Sequence, residues 1–244
     1  MMSLLTIDCG NTTIDAFHHV DGKRLRFDSQ GSDVEGLRRL LATCGATRCV
    51  VASVCDVGFA VLQRASPPGF VPFERAGIDL PPPLPIDYDP PGSLGVDRWV
   101  GALAAFRLHG SCLVVDCGSA TTFNLVDRSG VFRGGAIAPG LRAFVEGMQQ
   151  ATPALPVARL DAPVVLPART TQLAIDVGVQ LGYCGAVDAI ARELLQSLDH
   201  PMRMVATGGN AERLMRHSRL AMVHEPTLVH RGLAMLVGAS PCGS

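Results

Sequence analysis

Two stretches of this sequence nearly repeat each other: residues 4–15 read LLTIDCGNTTID, and residues 113–124 read LVVDCGSATTFN. Each has an apolar run typical of a buried strand, then Asp, Cys, Gly and a group of small hydroxyl or amide side chains. The glycine permits a tight turn, and the backbone N–H groups of such a turn can hold phosphate oxygens. The Asp can bind Mg²⁺ directly or through its waters. We therefore predict two equivalent phosphate-binding turns that grip one nucleotide triphosphate.

The order of predicted elements extends the repeat to the whole chain. Each half begins with strand, turn and strand, and later alternates helices with strands, which predicts a duplicated α/β fold with a cleft between its halves. We place the domains at residues 1–110 and 111–244. The first half has predicted strands at 4–8, 12–20, 24–29 and 48–54 and helices at 32–44 and 97–108. The second has predicted strands at 112–116, 121–127, 131–140, 202–209 and 220–224 and helices at 141–150, 171–198, 210–217 and 227–236.

Two of these helices carry start signals. Ser32 is the predicted N-cap of the first, with Glu35 three residues later as its capping-box partner. The helix that begins at Thr171 has apolar residues that cannot all share one face at 3.6 residues per turn. A helix that is apolar on two sides needs two covers. The second cover is expected to be another copy of the chain, the alternative being burial of the helix within its own subunit.

Composition excludes several classes of function. The 244 residues suffice for two domains, and a net charge of −1 without a long basic run makes nucleic acid an unexpected partner. We expect no membrane span and no signal peptide, and hence a cytoplasmic protein. The eight cysteines form no C-x-x-C pair and are expected to be structural thiols. Lys23 is the single lysine, which excludes a P-loop or a Schiff base.

Five short motifs, in order along the chain, resemble those of type III pantothenate kinases. They are DCGNT at 8–12, GVDR at 95–98, DCGSATT at 116–122, GGAIAPG at 134–140 and TGG at 207–209. That family belongs to the acetate and sugar kinase, Hsp70 and actin superfamily, so the resemblance implies two actin-like (ribonuclease H-like) domains. It also implies ATP-dependent phosphorylation of pantothenate, the first step of coenzyme A biosynthesis. The sequence departs from the family at Ser119, where Thr is usual, and at Thr170, where Asn is usual.

The resemblance assigns the pantothenate site to a few residues. Asp97 is the implied general base for the attacking primary hydroxyl, although an Asp at this position also suits a helix N-cap. Arg98 is implied to grip the substrate carboxylate, a task for which its planar fork is suited. Thr171, itself an N-cap candidate, is implied to reach the site of the neighbouring subunit in a homodimer with shared active sites. The remaining implied substrate contacts are Tyr88, Gly95 and Val96.

The nucleotide and ion contacts complete the predicted site. Mg²⁺ is expected near Asp8 through water, and the resemblance implies a monovalent cation, K⁺ or NH₄⁺, near Asp116. ATP is the implied co-substrate. The predicted nucleotide-binding residues are Asp8, Cys9, Gly10, Asn11, Thr12, Thr13, Ser119, Thr121, Thr122, Gly208 and Gly209.

Two other functions remain open from the sequence. One is a kinase or phosphatase of the same superfamily that acts on a sugar or a short acid; the motif at 95–98, beside a proline-rich loop, argues against it. The other is a nucleotide-binding regulator without kinase turnover. Retention of Asp8, Asp97 and Asp116 together argues against loss of turnover, because a regulator needs nucleotide binding but no catalytic base.

Overall fold

The computed structural model of the chain describes residues 3–239. Their contacts form two compact units. The first contains the chain up to Leu108, the short piece Gly130–Phe132 and the chain from Thr227 onward; the second contains His109–Ser129 and Arg133–Pro226. A single boundary after residue 110 put the last helix in the second domain, whereas its contacts put it in the first. The cause is the packing of that helix, whose Gly232 lies so close to the Val100 carbonyl that a Cβ would not fit.

The two units contain ten strands and seven α-helices within the described residues. The strands are β1 (Leu4–Cys9), β2 (Thr13–His18), β3 (Arg24–Asp28), β4 (Arg48–Ser53), β5 (Phe73–Arg75), β6 (Cys112–Cys117), β7 (Ala120–Val126), β8 (Phe132–Pro139), β9 (Arg203–Thr207) and β10 (Val223–His224). The helices are α1 (Val34–Thr43), α2 (Asp56–Ala65), α3 (Val96–His109), α4 (Leu141–Ala151), α5 (Thr171–Gln196), α6 (Ala211–His217) and α7 (Leu228–Leu236).

The two sheets have the same topology, which explains the repeat in the sequence. The first has the order β3-β2-β1-β4-β5 and the second β8-β7-β6-β9-β10. In each, the central strand pairs antiparallel with the next strand of the chain and parallel with a later one. Strands β1 and β6 also share one burial pattern, in which only the Asp before the last Cys is partly exposed. The duplicated α/β fold predicted from the sequence is confirmed.

Each sheet buries an apolar face under helices. In the first unit, alternate residues of β1 and β2 such as Ile7 and Ile14 pack with α1 and α2. In the second unit, Val115 and Phe123 pack with α5 through Tyr183. Helix α5, predicted at residues 171–198, is the one helix among residues 3–239 that is long and apolar enough to span a membrane. Half of its most apolar window is buried, as in the core helix of a folded domain.

Several helix starts differ from the predictions by one residue. The N-cap of α1 is Asp33, whose Oδ1 accepts the Gly36 N–H at 3.0 Å, rather than Ser32. The N-cap of α5 is Thr170, whose Oγ1 accepts the Leu173 N–H at 3.2 Å, so Thr171 is the first helical residue. In both places two favoured capping residues are adjacent, so residue type alone does not decide which of them caps the helix.

The cysteines lie mostly inside the cores. Seven are free thiols in the described residues, and Cys242 lies outside them. Burial raises the pKa of the Cys9 and Cys184 thiols to about 11 and that of Cys112 and Cys117 to about 12. These four thiols therefore stay protonated at neutral pH, in keeping with a packing role.

No group of three or more His, Cys, Asp or Glu side chains within residues 3–239 is arranged to hold a metal.

Candidate active site

The first repeated turn is a three-residue connection between β1 and β2, Gly10–Thr12. The Gly10 N–H donates to the Thr13 carbonyl at 3.0 Å, and the Ser29 hydroxyl donates to the Gly10 carbonyl at 2.7 Å. These bonds fix the turn while the Asn11 and Thr12 side chains stay exposed. The side chain of Cys9 is buried, so this residue offers only its backbone to a ligand.

The second repeated turn is one residue shorter, Gly118–Ser119 between β6 and β7. Ser119 is exposed, and a Cβ on Gly140, at the start of α4, would lie against the Ser119 carbonyl and 2.8 Å from that of Gly118. The last glycine of the motif at 134–140 therefore lets α4 begin directly beside the turn. This supporting role of Gly140 was not identified from the sequence.

The two threonines of the second motif have different surroundings. Thr122 is directly opposite Asp116 in the β6–β7 ladder, and such cross-strand partners point to the same face of a sheet. Its Oγ1 accepts the Asn124 amide N–H at 3.1 Å. Thr121 is instead fully buried, and its hydroxyl lies 3.0 Å from the Tyr183 hydroxyl. Thr121 was predicted as a nucleotide-binding residue, but the structure places its side chain in the core, where it contacts Tyr183 beside the turn.

Gly208 lies against the carboxylate of Asp116, the aspartate of the second repeated motif. It follows Thr207, the β9 partner of Asp116, and has φ +86°. A Cβ here would collide with Asp116 Oδ1 and would lie 2.8 Å from the Cys117 N atom. Glycine is therefore required both by the backbone conformation and by the close approach. The next residue, Gly209, is exposed, with open space around its Cα.

The predicted catalytic carboxylate lies in the first turn of α3. The helix begins at Val96, so Asp97 is inside it rather than at its N-cap. Asp97 Oδ1 accepts the backbone N–H of Arg98 at 2.8 Å. A Cβ on Gly95 would lie 2.7 Å from the same oxygen, so the carboxylate folds back over the glycine. Burial raises the pKa of Asp97 against the opposing effect of Arg98, which strengthens it as a base.

Arg98, the residue after Asp97, forms a pair with Tyr88. Arg98 is 7% exposed, and its Nη1 donates to the Tyr88 hydroxyl at 3.3 Å. The Arg98 Cζ lies 5.5 Å from the centroid of the Tyr88 ring. The structure therefore brings together Tyr88, Gly95, Asp97 and Arg98 within the first unit. Thr171 belongs to the second unit, where it is exposed at the start of α5.

Comparison with known proteins identifies the family. The family model described as type III pantothenate kinase matches residues 4–193, more than half of the chain. The chain belongs to the type III pantothenate kinase family. A relative from Desulfovibrio desulfuricans is 36% identical, over 96% of this chain and 95% of its own. Another from Zymomonas mobilis is 34% identical, over 96% and 91%. Both are named type III pantothenate kinase.

Solved structures place the fold of this type III pantothenate kinase among actin-like proteins. The structure of a Baf family transcriptional activator from Campylobacter jejuni matches with a TM-score of 0.62 and 20% identity, over 96% of this chain and 97% of that one. The archaeal actin homologue Ta0583 matches with a TM-score of 0.54 and 14% identity, over 97% and 99%. At such low identity these likenesses show the fold alone, and they confirm the expected actin-like domains.

Proposed function

We propose that this chain phosphorylates pantothenate with ATP, giving 4′-phosphopantothenate and ADP in the first step of coenzyme A biosynthesis. The observation that carries the proposal is the position of Asp97 and Arg98 in the first turn of α3, where Asp97 Oδ1 accepts the Arg98 backbone N–H, in a member of this kinase family. Phosphoryl transfer needs in-line positioning, charge neutralisation and a placed proton acceptor more than a covalent nucleophile.

Asp97 supplies the proton acceptor. Its Oδ1 is oriented by the Arg98 N–H, and burial raises its pKa. The carboxylate takes the proton of the pantothenate primary hydroxyl as the oxygen attacks the γ-phosphorus of ATP. The bond between that phosphorus and the β–γ bridging oxygen breaks, and ADP carries away the electron pair. A base with a pKa nearer to the working pH performs such a transfer more efficiently.

Arg98 holds the other end of the substrate. Its guanidinium can donate two parallel N–H bonds to the pantothenate carboxylate. The Tyr88 hydroxyl and ring orient that guanidinium. Gly95 and Val96 are proposed to line the pantothenate site, because they lie directly before Asp97 at the start of α3.

The nucleotide contacts are proposed for the exposed parts of the two turns. Asn11, Thr12 and Ser119 have exposed side chains, and the register supports Thr122 as a neighbour of Asp116. The other proposed contacts are Asp8, Gly10, Thr13, Gly208 and Gly209, with Cys9 acting through its backbone and Thr121 acting as a support.

Two cations are proposed to neutralise the negative charge of the triphosphate. The single lysine of the chain, Lys23, lies in none of the five motifs and so is not expected to do this. Asp8 fits Mg²⁺ held through water, since its carboxylate lies at the end of β1 before the turn. Asp116 is proposed to hold K⁺ or NH₄⁺, because its carboxylate lies near the end of β6 and directly against Gly208. Such cations, when bound, neutralise negative charge that develops on the phosphate oxygens.

The active unit is proposed to be a homodimer in which Thr171 of one subunit completes the pantothenate site of the other. The exposed face of α5 supports this. It consists of small residues that would let a second helix approach closely, namely Ala174, Gly178, Gly182, Gly185 and Ala189. We propose a cytoplasmic enzyme, in keeping with its seven free thiols among the described residues.

A coupled assay of ADP release tests the function. Purified chain is incubated with ATP, Mg²⁺ and K⁺, with and without pantothenate. Pantothenate-dependent ADP release, with 4′-phosphopantothenate found by mass spectrometry, is expected. ATP binding without any pantothenate-dependent turnover would instead favour the regulator. Turnover with a sugar or short acid but not with pantothenate would favour another kinase of the superfamily.

A further inference from the structure

A second aromatic side chain, Phe132, lies beside the Arg98–Tyr88 pair. It is fully buried, and its ring centroid lies 5.8 Å from the Arg98 Cζ, close to the 5.5 Å measured for Tyr88. The two rings are 6.2 Å apart and inclined by 67°, an edge-to-face arrangement. The Arg98 guanidinium therefore lies in an angle between two aromatic rings, where both attract its charge.

The backbone holds Phe132 in this place. Its N–H donates to the Pro85 carbonyl at 2.9 Å, and its carbonyl accepts the Asp87 N–H at 2.9 Å. These two bonds make a bridge between the strand of Phe132 and Ile86 in the loop that carries Tyr88. These bonds tie Phe132 to the loop of Tyr88, because their partners Pro85 and Asp87 lie three residues and one residue before the tyrosine.

Gly130, two residues before Phe132, lets the same segment pack closely against α3. Gly130 has φ +79°, and a Cβ added to it would lie 3.0 Å from two ring carbons of Phe106. Phe106 belongs to α3, the helix whose first turn carries Asp97 and Arg98. The tripeptide Gly130–Phe132 therefore contacts both the helix that bears the arginine and the loop that bears the tyrosine.

We infer that Phe132 is a positioning residue that sets the direction of the Arg98 guanidinium and thereby the preference for a substrate carrying a carboxylate. The inference rests on the proposed function, in which Arg98 binds the pantothenate carboxylate. Phe132 is buried and acts through Arg98 rather than on the substrate. Without its ring the guanidinium keeps its charge but loses one of the two surfaces that fix its plane. Bidentate pairing with a carboxylate depends on that plane.

The test compares pantothenate with pantothenol, in which an alcohol replaces the carboxylate. Phe132→Leu should raise the KM for pantothenate by about 3- to 30-fold, the range of one cation–π contact. The KM for pantothenol, the KM for ATP and kcat with pantothenate should each stay within about twofold of wild type. Phe132→Tyr keeps a ring and should restore the pantothenate KM.

Two controls separate positioning from packing. Phe27→Leu makes the same truncation in the core of the first unit, away from Arg98, and should leave the ratio of the two KM values unchanged. Gly130→Ala should reproduce the pantothenate-specific effect by lifting the segment from Phe106. Gly110→Ala should not reproduce this effect, because Gly110 also has a positive φ but has open space around its Cα.

The outcomes are distinct. Equal KM changes for both substrates in Phe132→Leu, or the same pattern in Phe27→Leu, would overturn the inference and leave a packing role. Arg98→Lys should reduce the preference for pantothenate; if it does so while Phe132→Leu does not, only the inference fails. If wild-type enzyme turns over pantothenate and pantothenol with equal KM, the carboxylate role of Arg98 fails. If it turns over neither, the proposed function fails.

Discussion

The Nε2 atom of His230 lies 3.3 Å from Oδ1 of Asp15, although 215 positions separate these residues in the chain. His230 is on α7 and Asp15 on β2, and both are buried. Thr6 extends the contact, because its Oγ1 lies 3.0 Å from His230 Nδ1 and 3.0 Å from His19 Nε2. Two buried histidines therefore belong to one polar network inside the first unit.

This network predicts loss of stability in acid. Burial lowers the pKa of His19 to about 4, below the value of about 6.5 for an unfolded histidine. The folded chain thus resists protonation, so the stability from neutral His19 is complete above about pH 6.5 and is lost as the pH falls toward 4. His19→Asn should reduce the slope of unfolding free energy against pH in this window by up to about 1.4 kcal/mol per pH unit.

Urea titrations at several pH values measure that slope. Val20→Asn introduces the same side chain at the exposed neighbouring residue and should keep the wild-type slope. A His19→Asn protein with the wild-type slope would show that His19 does not cause the acid sensitivity.

The proposed catalytic role of Asp97 predicts a specific kinetic defect. Asp97→Asn should lower kcat by about 10²- to 10⁴-fold, because the amide cannot accept the proton, while ATP affinity and melting temperature stay near wild type. Since burial raises the pKa of Asp97, the wild-type rate should fall with acid at a pH above the value of about 4 for an ordinary Asp. Asp56→Asn, at an exposed carboxylate of α2, is the control. Retention of more than about half of the turnover would remove Asp97 from the mechanism.

The contact between Gly95 and Asp97 predicts an effect of a single methyl group. Gly95→Ala brings a Cβ to 2.7 Å from Asp97 Oδ1, so the carboxylate must move, and kcat should fall at least about tenfold. Gly92→Ala is a matched control three residues earlier, because nothing lies within 4 Å of its Cβ position. Steady-state kinetics of both variants decide the point. Equal activities would show that the carboxylate position is not critical.

The contact of Gly208 with Asp116 predicts altered dependence on monovalent cations. Wild-type activity should fall when Na⁺ replaces K⁺. Gly208→Ala places a Cβ against Asp116 Oδ1 at a residue with φ +86°, so it should weaken or abolish the response to K⁺. Gly147→Ala, exposed on α4 with open space around it, should keep that response. Rates measured against K⁺ concentration distinguish the variants, and an unchanged K⁺ titration in Gly208→Ala would place the cation elsewhere.

The proposed homodimer predicts complementation between inactive chains. Asp97→Asn and Thr171→Ala are each expected to be poorly active alone, but mixed dimers contain one site with both residues intact. Recovered activity after exchange of subunits, followed by light scattering and the ADP assay, is the expected result. Gly182→Arg on the exposed face of α5 should shift the protein to monomers, whereas Gly147→Arg on α4 should not. Exchange without recovery would show that each chain works alone.

Local patterns predicted most elements because apolar periodicity and turn residues agree along the chain. The exceptions are the short strand β5 and the helix α2, which begins with Cys55 as its N-cap and contains Gly58. A Cβ on Gly58 would lie 2.8 Å from Cys9 Sγ, so a contact with β1 keeps a poor helix former inside this helix. No local pattern reports such a contact between distant segments.

The proposed roles of Asp97 and Arg98 came from the resemblance of the motif at 95–98 to the family, because residue type alone makes Asp97 an ordinary N-cap candidate. The burial of Thr121 was also readable in principle, because it alternates with the apolar inward residues Phe123 and Leu125 along β7. Phe132 carries no comparable signal. Its position depends on backbone hydrogen bonds to a loop more than forty residues earlier, which only the folded chain reveals.

The division of the first unit between the two ends of the chain has a consequence for its biosynthesis. The ribosome makes β1–β5 before the second unit, but the helix that supplies His230 to Asp15 and packs against Val100 is made after it. All residues of the second unit are translated before Thr227. The second unit can therefore complete its own contacts first, whereas the first must wait for α7. A nascent chain stalled before Thr227 would leave the buried Thr6 and Asp15 without their last partner, exposed to the quality-control proteases of the cell.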